Sequence, residues 1–272
     1  MALSLRPVPA AQGLRWAAQG FQAFARSPFA FSGMFAAFLV VALLASVVPY
    51  LGGVLVLMAL PLLSLAYMLA TRAVLKGGTV QVAQLFEPLR GPPQRRKAIL
   101  QLCGIYALLM LLIMLLGDVI DGGAFNKLQV LMAKGESARA QVSELLADPS
   151  LANGIVARLV LIALLSVPFW HAPSLVFWGG QGVAQSLFSS TLALWRCRGA
   201  FALYSLAFMG TILLSSVVLG TLLTALDVPQ FAGMLAVPAG LVFSAAFYTS
   251  LWFVFKDSFG VEAEAANGSP VN

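Results

Sequence analysis

The sequence has little charge. Only 10% of its 272 residues are Asp, Glu, Lys or Arg, where a soluble domain carries roughly 25%. With 60% apolar residues, a water-exposed globule would present large apolar patches and aggregate. The solvent that tolerates such a chain is lipid. There is one histidine, His171, and there are two cysteines, Cys103 and Cys197, neither in a CxxC. A disulfide framework and a Cys/His metal site therefore have no residues to draw on. No HExxH, glycine-rich phosphate loop or GxSxG occurs, and no basic helix with interleaved base-reading side chains. We expect no enzyme, no cofactor, no metal and no nucleic-acid partner, because general acid–base chemistry would have few agents.

What is present is a series of long uncharged runs. A charge at the bilayer centre costs about 2.5–3.5 kcal/mol on insertion scales, so charged residues mark where spans end. Residues 27–71 form 45 positions without a charge, enough for two crossings of about 20 residues each. The turn between them is "VVPYLGG" at 47–53. Residues 98–117 supply a third span. Residues 159–195 are also uncharged, but the second half is rich in Gln, Ser and Thr, which keeps it out of the bilayer core. The last two spans are divided by "LDVPQF". The expected fold is an all-α integral membrane protein with six spans near 29–48, 51–72, 98–117, 156–178, 199–226 and 228–255. A loop over 118–155 and a disordered tail over 260–272 complete it. The first apolar run follows Arg6, Arg15 and Arg26 and leads straight into more apolar sequence, so it reads as a retained anchor.

Six spans put both termini on one side. That side holds Arg6, Arg15, Arg26, Arg72, Lys76, Arg90, Arg95, Arg96, Lys97, Arg196, Arg198 and Lys256, twelve of the 16 basic residues. The other side holds Lys127, Lys134, Arg139 and Arg158, offset by Asp118, Asp121, Glu136, Glu144, Asp148 and Asp227. The positive-inside rule places both termini in the cytoplasm. Arg72 and Arg158 are expected to reach from helix ends to lipid headgroups.

The chain looks internally repeated. Prolines follow "AL", "SV" and "AV" at Pro61, Pro168 and Pro238, and "GGTVQVAQLF" from Gly77 resembles "GGQGVAQSLF" from Gly179. We expect three transmembrane hairpins, each preceded by a cytoplasmic amphipathic helix in the interface. In the first of these, Arg15, Gln19, Gln22 and Arg26 share one face and Leu14, Ala17, Ala18, Phe21 and Phe24 the other. The second holds Val82, Leu85, Phe86 and Leu89. The third holds Val183, Leu187, Phe188, Leu192 and Trp195. Plain linkers are the alternative. Small residues at Ala232, Ala236, Gly240 and Ser244, and at Ser216, Gly220 and Thr224, suggest close packing of the last two helices. The loop at 118–155 reads as an amphipathic helix broken at Gly135, lying on the outer leaflet or capping the bundle.

His171 falls in the inner half of the fourth span, between Pro168 and Pro173. An ionisable residue within a membrane is a functional hypothesis by default. This one has no carboxylate or second histidine in any expected span to exchange a proton with. We expect its imidazole to satisfy a carbonyl that a proline has freed.

Three segments, "LRPVPAAQGLRWAAQGFQAFARSPFAF" from Leu5, "PLLSLAYMLATRAVLKGG" from Pro61 and "PFWHAPSLVFW" from Pro168, together resemble an uncharacterised family of bacterial six-helix inner-membrane proteins. The resemblance covers most of the chain up to about Phe259. It implies a location and an architecture, with no activity and no site residues to carry over. The expected role is non-enzymatic contact with the bilayer, through anionic phospholipid headgroups at Arg15, Arg26, Arg72, Arg95, Arg96, Lys97, Arg196 and Arg198, or with a membrane partner. The alternative is a permease or channel for a neutral or amphipathic solute, which the repeat and the proline-broken helices would suit.

Overall fold

The computed structural model describes residues 3–49 and 51–260, without the side chains of Glu136, Ser137 and Pro229. All but Gly260 of the expected tail lies outside the described residues. Among the described residues there are α-helices and short 3-10 turns, and no strand. The helices are α1 (Gln12–Ala25), α2 (Pro28–Ser46), α3 (Leu51–Leu75), α4 (Pro93–Asp121), α5 (Ala124–Ala133), α6 (Arg139–Leu146), α7 (Pro149–Phe169), α8 (Ala172–Gly179), α9 (Val183–Arg196), α10 (Arg198–Ala225) and α11 (Ala232–Phe259). Six segments are long and apolar enough to cross a membrane: α2, α3, α4, α7 with α8, α10 and α11.

Local chemistry sets the ends. Pro28, Pro93 and Pro149 each sit in the first turn of their helix, where the missing N–H costs nothing. Asp148 caps α7 by accepting the Ser150 N–H at 2.8 Å, and that bond holds its carboxyl below the ordinary carboxylate range. Gly122 and Gly260 close α4 and α11 in the left-handed region, at φ 60° and 62°. Helix α4 overruns the uncharged stretch at both ends. Its 29 residues make about 43 Å of helix against about 30 Å of hydrocarbon. Arg95, Arg96 and Lys97 form part of its first turns, and Asp118 and Asp121 part of its last.

Helix α1, expected as an amphipathic interfacial helix, is helical and packs into the bundle. It is wedged between α10 and α11. Trp16 is fully buried, edge-on to Phe201 and Tyr204 of α10. Its indole N–H donates to Asp257 Oδ2 on α11 at 2.8 Å, and Gln12 Nε2 donates to the same oxygen at 2.6 Å. The Thr249 hydroxyl donates to the Gly20 carbonyl at 2.9 Å. Two glycines permit this approach. A Cβ at Gly13 would lie 1.9 Å from the Ala200 carbonyl oxygen, and one at Gly20 would lie 2.4 Å from Ser250 Cβ. The buried face is Gly13, Trp16, Ala17, Gly20, Ala23 and Phe24, while Leu14 is half exposed.

The wedge reshapes the third expected hairpin. Helices α2 and α3 pack together, as do α4 and α7. Helices α10 and α11 meet mainly at the Tyr204 and Ser250 hydroxyls, 2.6 Å apart, and at Phe208 against Phe247. Beyond Phe208, α10 buries only Leu223, and α11 buries nothing before Ala245. Of the small residues expected to pack these helices together, Ser216, Gly220, Thr224, Ala232, Ala236 and Gly240 are exposed and Ser244 is half-buried, with nothing within 4 Å of a Cβ at Gly220 or Gly240. The second expected surface helix is two short turns, Val82–Leu85 and Glu87–Leu89, because Pro88, Gly91 and Pro92 interrupt an α-helix. The third is helical. In α9, Ser186, Ser190 and Ala193 face α7 and α8, and Phe188 and Trp195 point outward.

The glycine contacts supply a matched pair for measurement. Gly20→Ala is expected to cost about 1–3 kcal/mol through overpacking. Gly33→Ala, in α2 with open space around it, is expected to cost nothing. Thermal unfolding of both variants in detergent checks this, and equal stability would contradict the close approach.

Candidate functional site

Both described chain ends meet at one end of the bundle. The Arg6 N–H donates to the Ser258 carbonyl at 2.8 Å, and the Cys197 thiol lies 3.7 Å from the Arg6 carbonyl. The basic residues singled out above divide into two groups there. Arg15, Arg26, Arg96, Lys97, Arg196 and Arg198 are exposed. Arg72 and Arg95 are half-buried and held over rings. The Arg72 guanidinium lies 5.6 Å from the Trp252 centroid, and that of Arg95 lies 4.5 Å from Phe177. Arg198 also lies 5.6 Å from Trp195. Such stacking fixes the guanidinium plane while leaving N–H groups to reach an anion. The structure gathers Arg90 and Arg95 around one cleft with Phe177. Arg15 stands apart on α1, and Arg196 and Arg198 at the α9–α10 junction.

His171 lies at the break between α7 and α8, 1% exposed, with its ring against Phe201, Phe255 and Phe259. The imidazole does not satisfy a freed carbonyl, which corrects the expectation. Ser190 does that from α9. Its hydroxyl donates to the Val167 carbonyl at 3.0 Å and accepts the His171 backbone N–H at 3.0 Å. These two groups would bond each other in an unbroken helix, so the serine is inserted into the ladder and the helix bends around it. Nε2 of His171 has no hydrogen-bond partner. Among the described residues no three His, Cys, Asp or Glu side chains stand together as a metal site would require.

Arg158 was expected to reach a headgroup. It lies instead inside the protein, 4% exposed, and donates to Asp121 and to Asp118, each at 2.5 Å. Its guanidinium lies over Phe125, 4.7 Å from the ring centroid. Gly117 and Gly154 leave room for the cluster, since a Cβ at either would collide with Arg158 or Asp121. The ion pairs join α4 to α7 beneath a cap built by α5 and α6, where Ala124, Leu128 and Leu151 form a small core. The spacing of Asp118 and Asp121 put both carboxylates on one helix face, but nothing in the sequence named Arg158 as their partner.

The bundle also carries apolar recesses within the spans. A cleft of about 490 Å³ opens between α10 and α11, lined by Trp170, Tyr204, Phe208, Phe243, Phe247 and Tyr248 among others. A smaller recess of about 200 Å³, at Pro61, Ser64, Tyr106 and Ser166, lies on the other side of Trp170, Phe247 and Tyr248.

Six membrane-length helices and a solvent-like apolar surface define a multi-pass α-helical membrane protein. The chain is 30% identical over 269 residues to a probable inner membrane protein of Burkholderia thailandensis, covering 98% of both chains. It belongs to the family of that inner-membrane protein. No model of a known family matches it. No solved structure matches it either.

The two roles at the helix break separate by mutation. Ser190→Ala is expected to cost about 1–3 kcal/mol, because a buried N–H and carbonyl lose their bridge. His171→Leu keeps the volume and removes an unpartnered polar atom, so its cost is expected to stay below about 1.5 kcal/mol. Unfolding in detergent ranks them. The reverse order would return the capping role to the imidazole.

Proposed function

We propose that this is a non-enzymatic membrane protein with both termini in the cytoplasm, and that its basic end engages anionic phospholipid headgroups. The observation that carries the reading is the charge at that end. Twelve cations gather there, six of the singled-out ones with exposed side chains. Among the described residues the acids of that end are Glu87 and Asp257, and Asp257 is already occupied by Trp16 and Gln12. Cations at the inner surface are each worth about 1 kcal/mol of attraction to anionic lipid. The outward Phe188 and Trp195 of α9, each 70% exposed, suit a helix bordering the acyl layer.

A second reading is a permease or channel for a neutral or amphipathic solute. It is favoured by the recesses on either side of Trp170, Phe247 and Tyr248, together with the helix break at His171. Transport would require the two recesses to join through that aromatic wall.

Two measurements test the first reading. Native mass spectrometry of protein released from membranes is expected to show anionic phospholipid retained in preference to phosphatidylcholine, with retention falling as salt rises. Equal retention of both classes would overturn it. Cysteines introduced at Gln129 and Ser143 should label with an impermeant thiol reagent on intact cells, and one at Gln94 only after permeabilisation. The native Cys103 and Cys197 are buried and give little background. Labelling at Gln94 from outside would reverse the orientation.

A further inference from the structure

A second cleft at the basic end, about 510 Å³, lies between the start of α4 and the end of α8. Pro92, Gln94 and Arg95 form one wall, and Phe177 with the 179–182 turn forms the other. Two of its side chains hold buried polar atoms without a hydrogen-bond partner: the donor Nε of Arg95 and the acceptor Oε1 of Gln181. An unpaired buried donor and acceptor are each costly, and their presence in one cleft calls for a ligand that carries both complements.

The donor side calls for an anion. Arg95 is held over Phe177, its Cζ 4.5 Å from the ring centroid, and its terminal nitrogens make only long bonds, 3.3 Å to the Phe177 carbonyl and 3.5 Å to the Arg90 carbonyl. A guanidinium fixed in plane suits the paired oxygens of a phosphate. None of the residues lining this cleft is Asp or Glu. Glu87 lines the neighbouring cleft on the far side of Arg95, which leaves the α8 side as the one open to an anion. The acceptor side calls for a hydroxyl. An ammonium would seek a carboxylate, and the lining of this cleft holds none.

We propose that this cleft binds a phosphoglycerol group, the phosphate on Arg95 and a glycerol hydroxyl donating to Gln181 Oε1. The site rests on the headgroup reading above and adds one stoichiometric position to it. The same chemistry occurs in phosphatidylglycerol and in free glycerol phosphate, and the experiment separates them.

The full-length protein is delipidated in detergent and exposed to mixed vesicles of phosphatidylglycerol and phosphatidylcholine. Bound lipid is then counted by native mass spectrometry. Arg95→Gln is expected to lower retention of the tightest phosphatidylglycerol about tenfold, as loss of a charge-assisted contact implies. Gln181→Leu, which leaves Arg95 over its ring, should lower it several-fold and narrow the preference over phosphatidylcholine. Lys127→Gln, which removes an exposed cation at the opposite end of the molecule, should leave that lipid bound. Thermal unfolding with glycerol phosphate, and with inorganic phosphate, supplies the soluble arm. A shift with glycerol phosphate and no retained lipid supports the chemistry and assigns the source to a soluble ligand. Wild type that retains no anionic lipid and shows no shift overturns the site together with the broader reading. Wild type that retains such lipid, with Arg95→Gln and Gln181→Leu retaining as much, leaves the broader reading standing and overturns the site.

Discussion

The carboxylate of Asp257 is the point from which the packing of this protein follows. It receives the indole N–H of Trp16 and the amide of Gln12 on one oxygen, and so seats α1 against the end of α11. Lipid tails are as apolar as leucine, so helices in a membrane gain little by hiding apolar side chains from their solvent. What holds them is close contact and polar bonding. Helix α1 supplies both, through Gly13 and Gly20 and through Trp16, Gln12 and the Gly20 carbonyl. Fully buried Trp16, Tyr204 and Trp252 share one core around it.

The wedge explains how burial is distributed. Helices α10 and α11 are held apart where α1 enters and are buried there. Farther along they run exposed, a state that costs nothing in lipid. The opposite end has its own tie. Asp118, Asp121 and Arg158 join α4 to α7 under the cap. Breaking such a group by removing one partner leaves an uncompensated buried charge. The two ties lie at opposite ends of the molecule, and α3 links their surroundings. The Tyr67 hydroxyl donates to the Phe31 carbonyl of α2 at 2.7 Å, and Ser174 of α8 donates to the Met68 sulfur at 3.0 Å.

The spans were legible in the sequence because charge is expensive in hydrocarbon and cheap just outside it. That rule marks apolar runs and does not mark helix ends, which is why α4 proved longer than residues 98–117 at both ends. The buried face of α1 was read only in part, since Ala17 and Phe24 are buried and Phe21 packs on Phe208 as expected. Hydropathy weights Leu14, which is half exposed, whereas close packing selects Gly13 and Gly20, which carry no apolar signal. The small residues on α10 and α11 looked alike in sequence, yet all but Ser244 stand exposed. Partners remote in sequence were invisible. Ser190 bridging the break at His171, and Arg158 finding Asp118 and Asp121, depend on which helices become neighbours. Of the expected headgroup residues, the structure distinguishes Arg95, whose ring partner Phe177 is 82 residues away. Nothing local separated it from Arg96 and Lys97.

The seating of α1 is tested most directly by a double-mutant cycle on Trp16→Phe and Asp257→Asn, read by reversible unfolding in detergent. Trp16→Phe keeps the ring and removes the N–H, and Asp257→Asn removes the charge that receives it. A wedge bonded as described is expected to give non-additive losses, with a coupling of about 1–3 kcal/mol. Additive losses, agreeing within about 0.5 kcal/mol, would show that Trp16 and Asp257 do not meet and that α1 lies free of α11.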